Sequence, residues 1–340
     1  MRLFQAMAGA RHGGAEAFFV RLAIALERAG QEQRVLIRRD AERAAALLEG
    51  GVAPLQLPFG GRLDLATRWG FRRALRSYPP RVVLTWMNRA TMLCPRGDFV
   101  HVARLGGYYD LKYYRRCHHL VANTRDIADY LVAGGWPRER VHYLPNFVSA
   151  APAPPVERAS LDTPEGVPLA LALGRLHPNK AFDMLLSALA LVPEVYLWLA
   201  GEGELRQTLA LQARALGVAS RVRFLGWRDD TAALLAACDF LVCPSRREPL
   251  GNVVIEAWAA SRPVVAVASE GPRALIADDE TGLLAPIDDA RALAGAMRRV
   301  AADGALRERL SAAGRAAYDA EFSEARVVTL YRDFFEQVAR

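Results

Sequence analysis

Residues 245 to 260 read Ser-Arg-Arg-Glu-Pro-Leu-Gly-Asn-Val-Val-Ile-Glu-Ala-Trp-Ala-Ala, which puts the carboxylates Glu248 and Glu256 eight positions apart around Gly251. Pro249 has a fixed φ and no N–H, so it suits a helix first turn, and Leu250, Gly251 and Asn252 are then expected to offer unpaired backbone N–H groups to an anion. A diphosphate fits such a tip. Glu256 is expected about two turns into the helix, where a carboxylate can accept both vicinal hydroxyls of a ribose, while Glu248 at the mouth can reach hydroxyls of another sugar. Acidic residues also favour helix starts for dipole reasons, so the segment alone equally suits two solvated glutamates. Upstream, Leu171-Ala-Leu-Gly-Arg-Leu-His-Pro-Asn-Lys180 runs from an apolar strand through Gly174 into a turn and a second helix. Arg175 can grip a phosphate bidentately and Lys180 can add a compact charge. Only two of the 44 basic residues are lysines, which singles out the one at this turn.

Further segments follow in a recognisable order: His12-Gly-Gly-Ala-Glu16 after a first strand, Val141-His-Tyr-Leu-Pro-Asn146, Leu199-Ala-Gly-Glu-Gly203, Val222-Arg-Phe-Leu-Gly226, Phe240-Leu-Val-Cys-Pro-Ser245, Pro263-Val-Val-Ala266 and Thr281-Gly-Leu-Leu284. With Glu248 and Glu256, this series resembles the GT-B glycosyltransferases of family 4 through most of the chain. The resemblance implies an α/β protein with two Rossmann-like domains facing across a cleft and a C-terminal helix that crosses back to the first domain. It implies transfer from a nucleotide-diphosphate sugar with retention of configuration, no cofactor and no bound metal. By the same resemblance, Glu248, Arg175 and Lys180 are the catalytic residues. Gly13, Gly14, Gly174, Leu250, Gly251, Asn252 and Glu256 would bind the donor.

Two departures stand out. The family commonly carries a His at the end of a first-domain strand, near the reacting centre. Here Phe99-Val-His-Val-Ala-Arg-Leu-Gly-Gly107 puts His101 in mid-strand and Arg104 near the strand end, on opposite faces, and Arg104 is the better placed of the two. Asn146 is followed by Phe147 and Val148 where a Gly is usual, so that corner is expected to pack differently. Tyr108, in the tract Gly106 to Arg116, is a further candidate for the acceptor opening; packing against an interdomain face is the other reading of its tyrosines.

The chain's 340 residues, 52% of them hydrophobic, suit two packed α/β domains. Short runs such as Val82-Val-Leu-Thr85 and Leu169-Ala-Leu-Ala-Leu173 suit parallel strands covered on both faces. The expected divisions are an acceptor domain over 1–150, a linker over 151–167, a donor domain over 168–321 and a final helix over 322–340, whose Tyr331, Phe334 and Phe335 read as packing residues. Residues 1–150 hold 23 Lys and Arg against 12 Asp and Glu, a net of +11, and the remainder is at −4.

Within the basic half, Arg62 to Arg76 mixes five arginines with Leu63, Leu65, Trp69, Phe71 and Leu75, as would a helix lying on anionic lipid; an ordinary amphipathic helix with snorkelling arginines reads the same way. No recognised nucleic-acid module accompanies the basic patch. No apolar stretch has the length of a membrane span and Met1-Arg-Leu-Phe starts no signal peptide, so a cytoplasmic protein on the inner membrane face is expected, with a glycolipid or lipopolysaccharide-core saccharide as acceptor. Cys94, Cys117, Cys238 and Cys243 lack paired spacing and read as reduced, buried thiols. Asp229-Asp230 reads as a solvated loop pair. A dinucleotide oxidoreductase would need a third glycine after Gly201-Glu-Gly203. A sugar-nucleotide epimerase, a phosphorylase or a non-catalytic sugar-nucleotide-binding protein would share the architecture.

Overall fold

The computed structural model describes residues 1–11, 13–61, 64–148 and 151–340; His12, Arg62 and Leu63 of the motifs above lie outside them. The chain forms two compact units, Met1–Phe147 with Glu324–Arg340, and Val148–Ser323.

The first unit is built on strands β1 (Leu3–Met7), β2 (Gln33–Arg38), β3 (Pro54–Leu57), β4 (Val82–Trp86), β5 (Val100–Leu105), β6 (His119–Ala122) and β7 (Val141–Tyr143), in the order β3-β2-β1-β4-β5-β6-β7. The second carries β8 (Leu169–Leu173), β9 (Tyr196–Ala200), β10 (Val222–Gly226), β11 (Phe240–Cys243), β12 (Val264–Val267) and β13 (Leu283–Ala285), in the order β10-β9-β8-β11-β12-β13. Every pairing between these strands is parallel. Both orders reverse direction at their first strand, the doubly wound arrangement in which ligands lie beyond the carboxyl ends of the strands.

The central strands are mostly apolar because helices cover both faces. In the first sheet Leu3, Val35, Val82 and Leu84 face one helix layer, and Phe4, Leu36 and Val83 face the other. In the second, Ala170, Leu197 and Val242 oppose Leu169, Leu171 and Leu241 in the same way. The helix Glu324–Val338 belongs to the first unit, where Tyr331, Phe334 and Phe335 are buried. Residues 151–167, with the composition of a linker, instead pack on the second unit. Arg158 donates to Ala237 O at 2.8 Å and Val167 O at 2.9 Å, and Trp198 Nε1 donates to Thr163 Oγ1 at 2.8 Å.

Candidate functional site

The carboxyl edge of the second sheet gathers the residues singled out around Lys180 and Glu248. After β8 the chain turns at Gly174, and after β9 at Gly201, where φ is +149° and an added Cβ would stand 1.9 Å from Gly174 O. Only glycine lets the two turns approach this closely. Gly201 N donates onward to Gly226 O at 2.7 Å, so three strand ends are joined backbone to backbone. The stem of Lys180 lies across Gly174, with Cε 3.3 Å from where a side chain there would begin.

Lys180 Nζ donates to Glu248 Oε2, and Ser245 Oγ lies 3.4 Å from the same oxygen. Glu248 is 9% exposed, and its pairing with Lys180 meets the requirement that a buried charge have a partner. Two of the three residues expected to be catalytic thus meet, 68 positions apart in sequence. A lysine ammonium has three protons, and the carboxylate takes one, leaving donors for a phosphate oxygen. Arg175 is exposed and makes no hydrogen bond or ion pair among the described residues, so its guanidinium is available to an incoming anion.

Arg246, which the sequence did not single out, fixes this arrangement. Its Nη1 and Nη2 hold Asp183 at 2.9 and 2.8 Å, Nε holds Asp288 at 2.5 Å, and Nη1 reaches Pro178 O at 3.1 Å. Arg247 N donates to Asn179 O at 3.2 Å. The turn bearing Lys180 and the loop bearing Glu248 are therefore clamped together. The guanidinium beside Asp183 holds that carboxyl below the usual carboxylate range, and the same bonds raise Arg246 further. No local signal marks this pair, because the partners are 63 positions apart.

The helix after Glu248 differs from the sequence expectation. It spans Asn252–Ala259, with Gly251 as N-cap at φ +68°, so Pro249 precedes the first turn instead of occupying it. Glu256 consequently stands about one turn into the helix, not two. The left-handed Gly251 starts the helix late. Gly271 N donates to Glu248 O at 2.7 Å and braces the loop from the next strand end. A helix start at this place carries a dipole that favours an anion.

In the first unit Gly13 caps the helix Gly14–Arg28 just after β1, and space is open where a Gly14 side chain would lie. Glu16 is buried and accepts from Ala10 N at 2.8 Å, tying the glycine loop down. Arg104 is a correction. Far from lying open at a reacting centre, it is 1% exposed, donates from Nε to Tyr331 Oη at 2.8 Å and from Nη2 to Asn146 Oδ1, and lies over the rings of Phe18 and Trp86 at 4.7 and 4.5 Å. Asn146 accepts that guanidinium and Phe147 packs edge-on to Phe18 at 5.3 Å, which explains the altered corner.

His101 is buried on the opposite face, 3.0 Å from Thr85 Oγ1 through Nε2, and burial lowers its pKa to about 4. It is a neutral packing group. Tyr108 is 48% exposed, with its hydroxyl on Asp126 and its ring edge-on to Tyr130. The four cysteines are free and buried. Arg228 Nε takes Asp230 at 2.7 Å, and no group of three or more His, Cys, Asp or Glu among the described residues could hold a metal ion.

Two doubly wound sheets, with a cationic turn and a helix start at the carboxyl edge of the second, have the architecture of the GT-B class. Residues 12–151 match the family model for Glycosyltransferase Family 4 and residues 155–317 that for Glycosyl transferases group 1. The chain belongs to glycosyltransferase family 4. It is 40% identical over 330 residues to the lipopolysaccharide core biosynthesis glycosyltransferase LpsE of Rhizobium meliloti, spanning 94% of this chain and 95% of that one. LpsD of the same organism is 38% identical over 333 residues, spanning 96% and 95%. Among solved structures, Anabaena Alr3699/HepE in complex with UDP superposes with a TM-score of 0.86 at 19% identity, over 99% of this chain and 100% of that one.

Proposed function

We propose that this glycosyltransferase moves a hexose or heptose from a nucleotide-diphosphate sugar to a lipopolysaccharide-core saccharide, with retention at the anomeric carbon. The observation that carries the reading is the clamped Lys180–Glu248 pair beside the free guanidinium of Arg175 and the Gly251 helix tip. The full-length likeness to LpsE and LpsD supports the acceptor class, and the UDP bound by Alr3699/HepE supports a uridine diphosphate sugar as the first donor to try. The diphosphate departs as its bond to the anomeric carbon breaks, and Arg175, Lys180 and the N–H groups of Leu250 to Asn252 receive its charge. The acceptor hydroxyl oxygen bonds to the same carbon from the same face as its proton passes to the departing diphosphate oxygen. Glu256 holds the ribose and Glu248 orients the donor sugar.

Preorganised charge at the leaving group is the main catalytic term, and loss of one such donor typically costs about 100-fold in rate. Lys180→Ala is accordingly expected to lower kcat about 100-fold with purified core saccharide and UDP-sugar, followed by mass spectrometry of the extended product. Glu256→Gln should weaken UDP binding. Wild-type turnover in a folded Lys180→Ala protein would refute the assignment, as would a product in which only the donor sugar has been epimerised or phosphorolysed.

Peripheral attachment to an anionic membrane accords with the helix Leu65–Ser77. It exposes Leu65 at 74% and Trp69 at 66% beside Arg68, Arg72, Arg73 and Arg76, while Phe71 and Leu75 hold it to the sheet. No helix among the described residues is long and apolar enough to cross a membrane. Trp69→Ala should reduce co-sedimentation with phosphatidylglycerol vesicles and leave UDP binding intact; undiminished sedimentation would count against attachment through this face.

A further inference from the structure

A second cationic cavity lies at the carboxyl edge of the first sheet, beyond β1 and β2. Its volume is about 430 Å³, and its lining includes Arg11, Arg38, Arg39 and Arg43 together with Asp40 and Glu42. The floor is rigid. Arg43 is 6% exposed and its Nη2 donates to Ala10 O and Arg11 O, at 2.5 and 3.1 Å, while Asp40 lies 3.4 Å from the same nitrogen. From the other side, Glu16 holds Ala10 N. Ala10 and Arg11 are thereby held between two buried side chains, Glu16 and Arg43.

The rim is different. Arg38, the last residue of β2, and Arg39 are exposed, and neither side chain has a hydrogen bond or ion pair among the described residues. Arg11 meets only Glu42, at 3.8 Å, with both side chains about two-thirds or more exposed. Asp40 is already spent, accepting from Arg43 N as the cap of the helix Ala41–Glu49 and pairing with the buried guanidinium. Exposed cations thus outnumber the one exposed carboxylate at an edge where doubly wound sheets bind ligands. Guanidinia on a braced frame favour planar or tetrahedral oxyanions bidentately.

We propose that this cavity is an acceptor subsite that recognises an oxyanion carried on the saccharide, a phosphate ester or a sugar carboxylate. The inference deepens the transferase reading and rests on it for the word acceptor. Binding of the anionic group at Arg38 and Arg39 selects charged saccharides, and it draws affinity from a part of the acceptor that does not react.

The test titrates the full chain with glucose 6-phosphate, glucuronate and neutral methyl glucoside, with UDP kept saturating so that the donor phosphate site is filled. Saturable binding of one or both anions, and none of methyl glucoside, is expected; which of the two binds tells phosphate ester from carboxylate. Arg38→Ala and Arg39→Ala should each weaken that binding on the order of tenfold, since hydrogen bonds to charged groups are lost. Glu42→Gln, which removes the opposing carboxylate, should tighten it. With core saccharide as acceptor, both arginine variants should raise the acceptor KM and leave kcat and UDP affinity unchanged. Equal anion binding by wild type and both arginine variants overturns the proposal, as does the absence of any saturable anion binding. Failure of the wild type to bind UDP would instead sink the donor-site reading, and leaves the arginine comparison to decide the cavity.

Discussion

Lys180 and Glu248 pair with each other, so the cationic turn carries no unpaired buried charge. A phosphate that arrives there competes for an ammonium already oriented by the Gly174 contact and by the Arg246 clamp. Arg246→Ala should therefore act through position and not through stability. Its pairs with Asp183 and Asp288 are partly exposed, and such pairs contribute about 0–1 kcal/mol. The expected result is a melting temperature close to wild type with kcat reduced about tenfold, measured beside Lys180→Ala. Glu248, Lys180 and Arg175 were singled out because a helix start, a glycine turn and a rare lysine leave local marks, and folding brings Lys180 and Glu248 together. Arg246 was not, since its role depends on partners brought in by folding. Arg104 was misread for the same reason: a polar residue near a strand end signals a site only when nothing covers it, and Tyr331 covers it from 227 positions away.

The turns after β8 and β9 work as one unit through the contact at Gly201. A Cβ there would enter the carbonyl of Gly174, and φ of +149° disfavours any side chain. Gly201→Ala is expected to cost about 2 kcal/mol or more and to displace the Lys180 turn. Chemical denaturation of the second unit and UDP titration of the same variant would show both losses. Strand positions followed from short apolar runs between turn residues. The helix after Glu248 was placed several residues early because Pro249 is compatible with a first turn. Gly251, by adopting the left-handed conformation, ends the irregular loop and decides the start. Proline restricts a start without imposing one.

Two long-range contacts fasten the last helix to the first unit. One is the Arg104 to Tyr331 bond, and Tyr331→Phe should destabilise that unit by about 1–3 kcal/mol, because a buried donor on a charged group loses its acceptor. The other is a histidine pair under Phe334: His119 Nδ1 lies 3.1 Å from His142 Nε2, and the His142 ring is 4.6 Å from Phe334. Burial, reinforced by the neighbouring His119, lowers His142 to about 4, and burial lowers His119 as well. Groups that stay neutral when folded but charge when unfolded contribute stability in full above the ordinary histidine range, and lose it as pH falls from about 6.5 towards 4. Thermal melts of the wild type should decline across that window, and His142→Gln should flatten the decline. Two units could be expected from chain length and composition, and the packing role of Tyr331, Phe334 and Phe335 from their helical spacing, whereas their exact partners could not. Because one folding unit is assembled from residues 1–147 and 324–340, with the other encoded between them, a ribosome must release residues 324–340 before the first unit can close over its guanidinium. Nascent chains truncated anywhere short of that point should therefore expose apolar surface and depend on chaperones, even where the inserted lobe has already folded.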